Sequence, residues 1–228
     1  MRLPDAALRP RLVGLLLLFI PLLPLAAPPA YGEPARAAVH LGPGSELWLE
    51  GTSTMHDYEC RTSKLEMKLL REAAQADPKD VAALDAWLRA GGLKGLDLLV
   101  PVGTMVSGKD GLDKNMYKAM NTKAFPNIRF LMSASQFGTA RGDTLPVTAN
   151  GTLTITDQSH PVAVKGQIIR AETGVWLEGT HPMKMSDFGI KPPKMMMGTI
   201  KVHDPIVVRY RLLLVPGEAA VDKAATHQ

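Results

Sequence analysis

From Ser45 onward apolar and polar residues alternate, and this period of two constrains the fold more than any other feature of the chain. In "SELWLEGTST" Leu47 and Leu49 alternate with Glu46, Trp48 and Glu50; in "DPIVVRYRLLLV" Val208, Tyr210, Leu212 and Leu214 alternate with Arg209, Arg211 and Leu213. A strand turns successive side chains to opposite faces, so each run offers one face to a core and the other to solvent. The runs "DYECRTSKLEMKLL", "LDLLVPV", "NIRFLMSASQF", "GTLTITDQ", "VAVKGQIIR" and "VWLEGT" read the same way. Turn chemistry separates them: "DQSHP" and "AETG" stand between consecutive runs at hairpin spacing. About eight strands with little helix between most of them predict an all-β fold, an antiparallel sheet that closes on itself or folds into a sandwich.

Two segments depart from the alternation. "DPKDVAALDAWLRAGG" offers Asp77 as N-cap, Pro78 at the first helical position, an apolar side of Val81, Leu84, Trp87 and Leu88, and Gly91 as a stop. "DGLDKNMYKAMNTKAFP" spaces Leu112, Met116 and Met120 four apart on one helical stripe beside Tyr117, and Pro126 ends the segment. Both read as short amphipathic helices, the second lying across the sheet or capping its mouth.

The N-terminus carries an address. Arg2, Arg9 and Arg11 precede the apolar run "LVGLLLLFIPLLPLAA", and Ala30 and Gly32 supply the small residues of a cleavage site. Residues 1–32 are therefore expected to be a removed secretory signal peptide, with Ala37 as a second possible cut. Pro21 and Pro24 interrupt the apolar stretch, which falls short of the ~20 residues of a membrane span. The remaining chain is expected in the periplasm or outside the cell, with 33–216 as one domain and 217–228 as a disordered tail. One cysteine, Cys60, cannot form an internal disulfide, so stability must come from a packed core. Half of the formal charge of +4 sits in the leader, where Arg2, Arg9 and Arg11 outweigh Asp5. The remainder is close to neutral and gives no reason to expect nucleic acid as a partner.

Motifs of catalysis are missing: there is no G-x-S-x-G, no Walker A, no G-x-G-x-x-G after a strand and no H-E-x-x-H. "HDYEC" clusters His56, Asp57, Glu59 and Cys60, but a strand turns His56 and Asp57 to opposite faces, and an isolated cysteine on an apolar face packs as a small hydrophobe. The sequence is therefore read as that of a binding protein and not an enzyme.

The methionines offer two chemistries. Twelve of them, against five phenylalanines, suit a cavity lined by flexible apolar side chains. Thioether sulfur and imidazole also suit Cu(I). His181, Met183 and Met185 occupy alternate positions of an extended segment and share a side, with Met195, Met196, Met197 and His203 as possible additions. A copper-handling protein is the alternative reading; a methionine-lined pocket is the preferred one.

Four blocks, "LEGTSTMHDYEC", "VPVGTMVSGKDGLDKNMYKAMNTKAFPNIRF", "GTLTITDQSHPVAV" and "MKMSDFGIKPPKMMMGTIKVHDPIVVRYRLLL", resemble the YceI-like family of bacterial exported proteins over nearly the whole chain after the leader. The resemblance implies an extended lipocalin-like antiparallel β-barrel whose interior takes a long amphiphile, a polyisoprenoid quinone-like molecule or a fatty-acid derivative, without a metal or catalytic cofactor. It also implies a periplasmic protein that is often a homodimer. Two features differ from the family's usual pattern: residues 71–92 look like a helical insertion, and Met195 to Met197 stand where small or aliphatic residues are more common. The expected lipid pocket draws on Met116 and Met120 from the second helix, Phe130 and Met132 from the next strand, and Phe188 with Met195, Met196 and Met197 near the mouth. Phe125 and Tyr117 are expected to shape the entrance, and His56 or Tyr117 to hold a headgroup.

Overall fold

The computed structural model describes residues 39–70, 77–195 and 198–217. The leader and its cleavage sites, Met196, Met197 and residues 218–228 lie outside the described residues. Eleven strands and two α-helices occur among the described residues: β1 (Val39–Leu41), β2 (Glu46–Ser53), β3 (Asp57–Thr62), β4 (Glu66–Leu70), α1 (Val81–Arg89), β5 (Gly95–Pro101), α2 (Asp110–Ala119), β6 (Asn127–Phe137), β7 (Thr144–Ile155), β8 (Gln158–Arg170), β9 (Val175–Lys184), β10 (Lys194–Met195) and β11 (Ile200–Pro216).

Nine strands form one antiparallel path in the order β3-β2-β11-β9-β8-β7-β6-β5-β4, with β1 and β10 as short additions on β11. The all-β fold with two short helices thus holds, with nine principal strands where about eight were expected. The run "DYECRTSKLEMKLL", read as a single strand, is two strands, and they are opposite edges of the sheet. Only Ser63, Lys64 and Leu65 link them, a span of at most about 14 Å, so the sheet must curl until its edges adjoin. They do not pair with each other. Instead the segment after β5 enters the seam: Arg61 and Val106 exchange both main-chain hydrogen bonds at 2.9 and 3.0 Å, and Thr62 and Thr104 hydroxyls meet at 2.7 Å.

The alternation decides what faces inward. Leu49 pairs with Cys60 and Val208, and Val208 with His181, all on the inner face. Outward Glu50 accepts from Arg209 Nε at 2.6 Å, and Arg211 lies 4.1 Å over the Trp176 ring. Such exposed pairs contribute little stability. The core sits inside the curl, where Cys60, Met132, Ile168, Val175, Leu212 and Leu214 are at most 2 % exposed.

The helices close opposite ends of the curl, because α1 immediately precedes β5 and α2 follows it. Leu84 and Leu88 of α1 are fully buried in the same core cluster as Val175 and Leu214. Its cap is Asp80, whose side chain accepts from Ala83 N at 2.8 Å, and not Asp77. Asp80 stands three residues before that N–H, the reach an N-cap carboxylate requires. Gly91 ends the helix at φ +78°, the left-handed conformation that favours glycine. At the other end Asp113 accepts from Ser107 N at 2.8 Å and Ser107 Oγ at 2.5 Å, fastening the loop before α2 to the helix.

Candidate functional site

The inner faces enclose an apolar cavity of about 180 Å³ whose wall, among the described residues, carries no Asp, Glu, Lys or Arg. It follows the ladder in rows. Cys60, Leu49, Val208 and His181 form one row, and Tyr58, Gly51, Ile206 and Met183 form the next. Leu112, Met116 and Met120 of α2 complete one end of the wall, as their shared helical stripe requires. Met105, Met132 and Met185 bring the methionines on the wall to six among the described residues.

Two tyrosines lie on beds of glycine. The Tyr58 ring covers Gly51 across the β2–β3 pair, and Tyr210 covers Gly166 and Gly179, where an added Cβ would collide with the tyrosine hydroxyl. Glycine inside a strand marks a close approach of this kind. Burial pushes the phenols of both tyrosines up to about 12, and burial, with Asp113 and Glu59 nearby, pushes the Cys60 thiol up to about 11. These groups are neutral at ordinary pH. Tyr210 donates to the Lys165 carbonyl at 3.1 Å. The Tyr58 hydroxyl and the His181 ring meet no hydrogen-bond partner among the described residues. Burial lowers the His181 pKa, which favours the neutral imidazole.

Of the residues expected in the pocket, Met116, Met120, Phe130 and Met132 are on the cavity wall. Met195 lies in β10, paired with Ile200. Four others lie off the wall. His56 is exposed in the β2–β3 turn, because the tight hairpin puts it beyond the end of the curl. Tyr117 lies beside the stripe and donates to the Met105 carbonyl at 2.6 Å, which ties α2 to the preceding loop. Phe125 follows the helix and is half-buried off the wall. Phe188 is buried behind the wall, edge-on to His160 with ring centroids 5.0 Å apart. Of the alternative ligands, His181, Met183 and Met185 line the cavity, whereas His203 points outward to Thr52 Oγ1 at 2.8 Å. His56 and Cys60 are not brought together.

A family model described as the YceI-like domain matches residues 51–212. The chain belongs to the YceI-like family. Two solved structures share the YceI-like fold with it. BcnA of Burkholderia cenocepacia is 16% identical with a TM-score of 0.54, covering 75% of this chain and 96% of its own. A polyisoprenoid binding domain from Saccharophagus degradans implicated in plant cell wall breakdown is 13% identical with a TM-score of 0.57, covering 79% of this chain and 99% of its own. A comparison with curated protein sequences returned no match.

Sequence reasoning missed Tyr58 as a wall residue of this YceI-like cavity, and it put Tyr210 on the core-facing side of its strand without naming it in the pocket. The signal was available: Gly51, Gly166 and Gly179 interrupt strands that otherwise alternate, and a strand glycine asks which side chain lies over it. Leu93, Ile190 and Pro193 also reach the wall from loops, for which alternation gives no guidance.

Proposed function

We propose that the chain is an exported protein that sequesters or carries a long apolar molecule with a small polar head, such as a polyisoprenoid or fatty-acyl lipid, and that it is not an enzyme. The observation that carries this reading is the continuous apolar cavity inside the curled sheet, to which, among the described residues, only Tyr58, Cys60, His181 and Tyr210 contribute side-chain polar groups. Burying each CH₂ contributes roughly 0.8 kcal/mol, so a long tail binds without polar contacts. The neutral thiol and the exposed, distant His56 give no activated nucleophile. The polyisoprenoid binding domain among the structural neighbours supports the same ligand class.

The test is native mass spectrometry of the full chain, produced in a bacterial host with its own N-terminal segment and purified without detergent. The expected result is an adduct of several hundred daltons that extracts into organic solvent. A bare mass, with no uptake of added prenol or fatty acid, sinks the reading.

A second reading rests on one specific observation. His181 and Met183 occupy neighbouring rows of the wall, Met185 lines the same cavity, and the imidazole is neutral, a soft donor set suited to Cu(I). Cuprous titration under reducing conditions decides it. The copper reading requires uptake that disappears when Met183 and Met185 are replaced by leucine.

A further inference from the structure

Beside the apolar cavity lies an open polar cleft of about 340 Å³ between β3 and the start of α2, lined by Asp57, Glu59, Arg61, Ser107, Gly108 and Lys109 among others. Tyr58 and Leu112 line both spaces, so these two side chains partition them. No ladder seals the partition. Arg61 gives both main-chain groups to Val106, and an antiparallel strand turns the main-chain groups of every second residue to the same side. Those of Glu59 and Asp57 therefore face the cleft and meet no protein partner among the described residues. The seam is weakest where apolar cavity and polar cleft adjoin.

Charge narrows what this cleft accepts. Glu59 accepts from Arg61 Nε at 2.7 Å, and the same guanidinium lies 3.5 Å from Glu46, so Arg61 is already matched by two carboxylates. Among the described residues Lys109 is the remaining cation of the cleft, and it faces a site that also holds Asp57. The four charged lining residues sum to zero. A phosphate or diphosphate entering here would lie beside two carboxylates, whereas a hydroxyl or carbonyl would find the open main-chain donors and acceptors of β3 and the Lys109 ammonium, the Ser107 hydroxyl being already committed to Asp113.

We propose that this cleft is the headgroup site and the entry seam of the cavity, and that it selects amphiphiles with an uncharged, hydrogen-bonding head over anionic ones. The inference rests on the lipid-binding reading above. In it the tail passes between Tyr58 and Leu112, and the head stays against the open edge of β3.

The test uses two probes with the same tail, geranylgeraniol and geranylgeranyl diphosphate, titrated into the full chain at low salt. The alcohol is expected to bind about tenfold more tightly, and the Asp57→Asn, Glu59→Gln double variant to bring the two within about threefold by strengthening the diphosphate. Leu112→Trp, which thickens the partition, is expected to slow association of the alcohol about tenfold while its unfolding midpoint stays near that of the parent. Diphosphate binding as tight as the alcohol, or a ratio that the double variant does not move, places the head elsewhere. Unchanged association in a folded Leu112→Trp protein places the entry elsewhere. Either result overturns this inference and leaves lipid binding standing, whereas failure of both probes to bind overturns the two together.

Discussion

Tyr210 lies flat on the inner wall because Gly166 and Gly179 on neighbouring strands leave room for it. An Ala at position 179 would press on the tyrosine, on the Lys165 carbonyl and on the Gly166 backbone. Backbone cannot rotate away as a side chain can, so Gly179→Ala is expected to cost about 1–3 kcal/mol in urea unfolding. A cost near zero would mean that the ring is not held flat in solution. His181 makes a pH-dependent contribution. Its folded-state pKa is lowered by burial from 6.5, so below that value the unfolded chain takes up a proton more readily than the folded one. Stability from this group is complete above about pH 6.5, declines as the pH falls through the window down to the folded value, and then flattens. Comparing His181→Gln with the parent across that window checks the sign: the parent must lose more stability on acidification. At this scale facing was legible for the apolar residues of regular elements, as for Met116, Phe130 and Met132. It was illegible for Tyr117, because a residue at the border of a helical stripe is placed by whichever acceptor lies nearby, here the Met105 carbonyl.

Elements whose partners are close in sequence were legible; those defined by distant contacts were not. The "AETG" hairpin follows from its turn residues, and β8–β9 pair across it as expected; β7 and β8 also pair, but their turn is Thr156-Asp157, and Gln158 to Pro161 of "DQSHP" already belong to β8. The split of "DYECRTSKLEMKLL" into two edges could not be read, because nothing local distinguishes a long strand from one that ends where the sheet meets its own far edge. Helix α1 shows the same limit on a smaller scale. Asp77-Pro78 is a good helix start by local rules, yet the chain begins its helix at Asp80, where Leu84 and Leu88 then reach the core. Leu88→Ala is expected to cost about 2–5 kcal/mol by opening a cavity at that end of the curl. Asp80→Ala is expected to cost about 1 kcal/mol through the lost cap. Chemical denaturation measures both, and a Leu88→Ala cost no larger than the cap's would mean that α1 covers the end without packing into it.

For the molecule as a whole, the size of the cavity and the chemistry of its wall pull in different directions. About 180 Å³ is below the roughly 300–1,000 Å³ of ordinary ligand pockets, while the proposed ligands are long. Space for a tail must therefore come from the wall. None of the sheet's main-path ladders can yield without losing hydrogen bonds, so the space must come from side chains, and the unbranched methionines are the ones that change shape at least cost. In a series of n-alkanols of increasing length, each added CH₂ is expected to tighten binding about fourfold until the tail outgrows the space, after which affinity levels off. Replacing Met116, Met120, Met132 and Met183 together by leucine keeps the wall apolar at nearly the same volume but removes its adaptability. Short alkanols are expected to bind this variant as they bind the parent, and the levelling-off to move to a shorter chain. Calorimetric titration across the series locates both plateaus. If the plateau stays where it was, the tail makes room by spreading the seam between β3 and α2, and the methionines are simply packing.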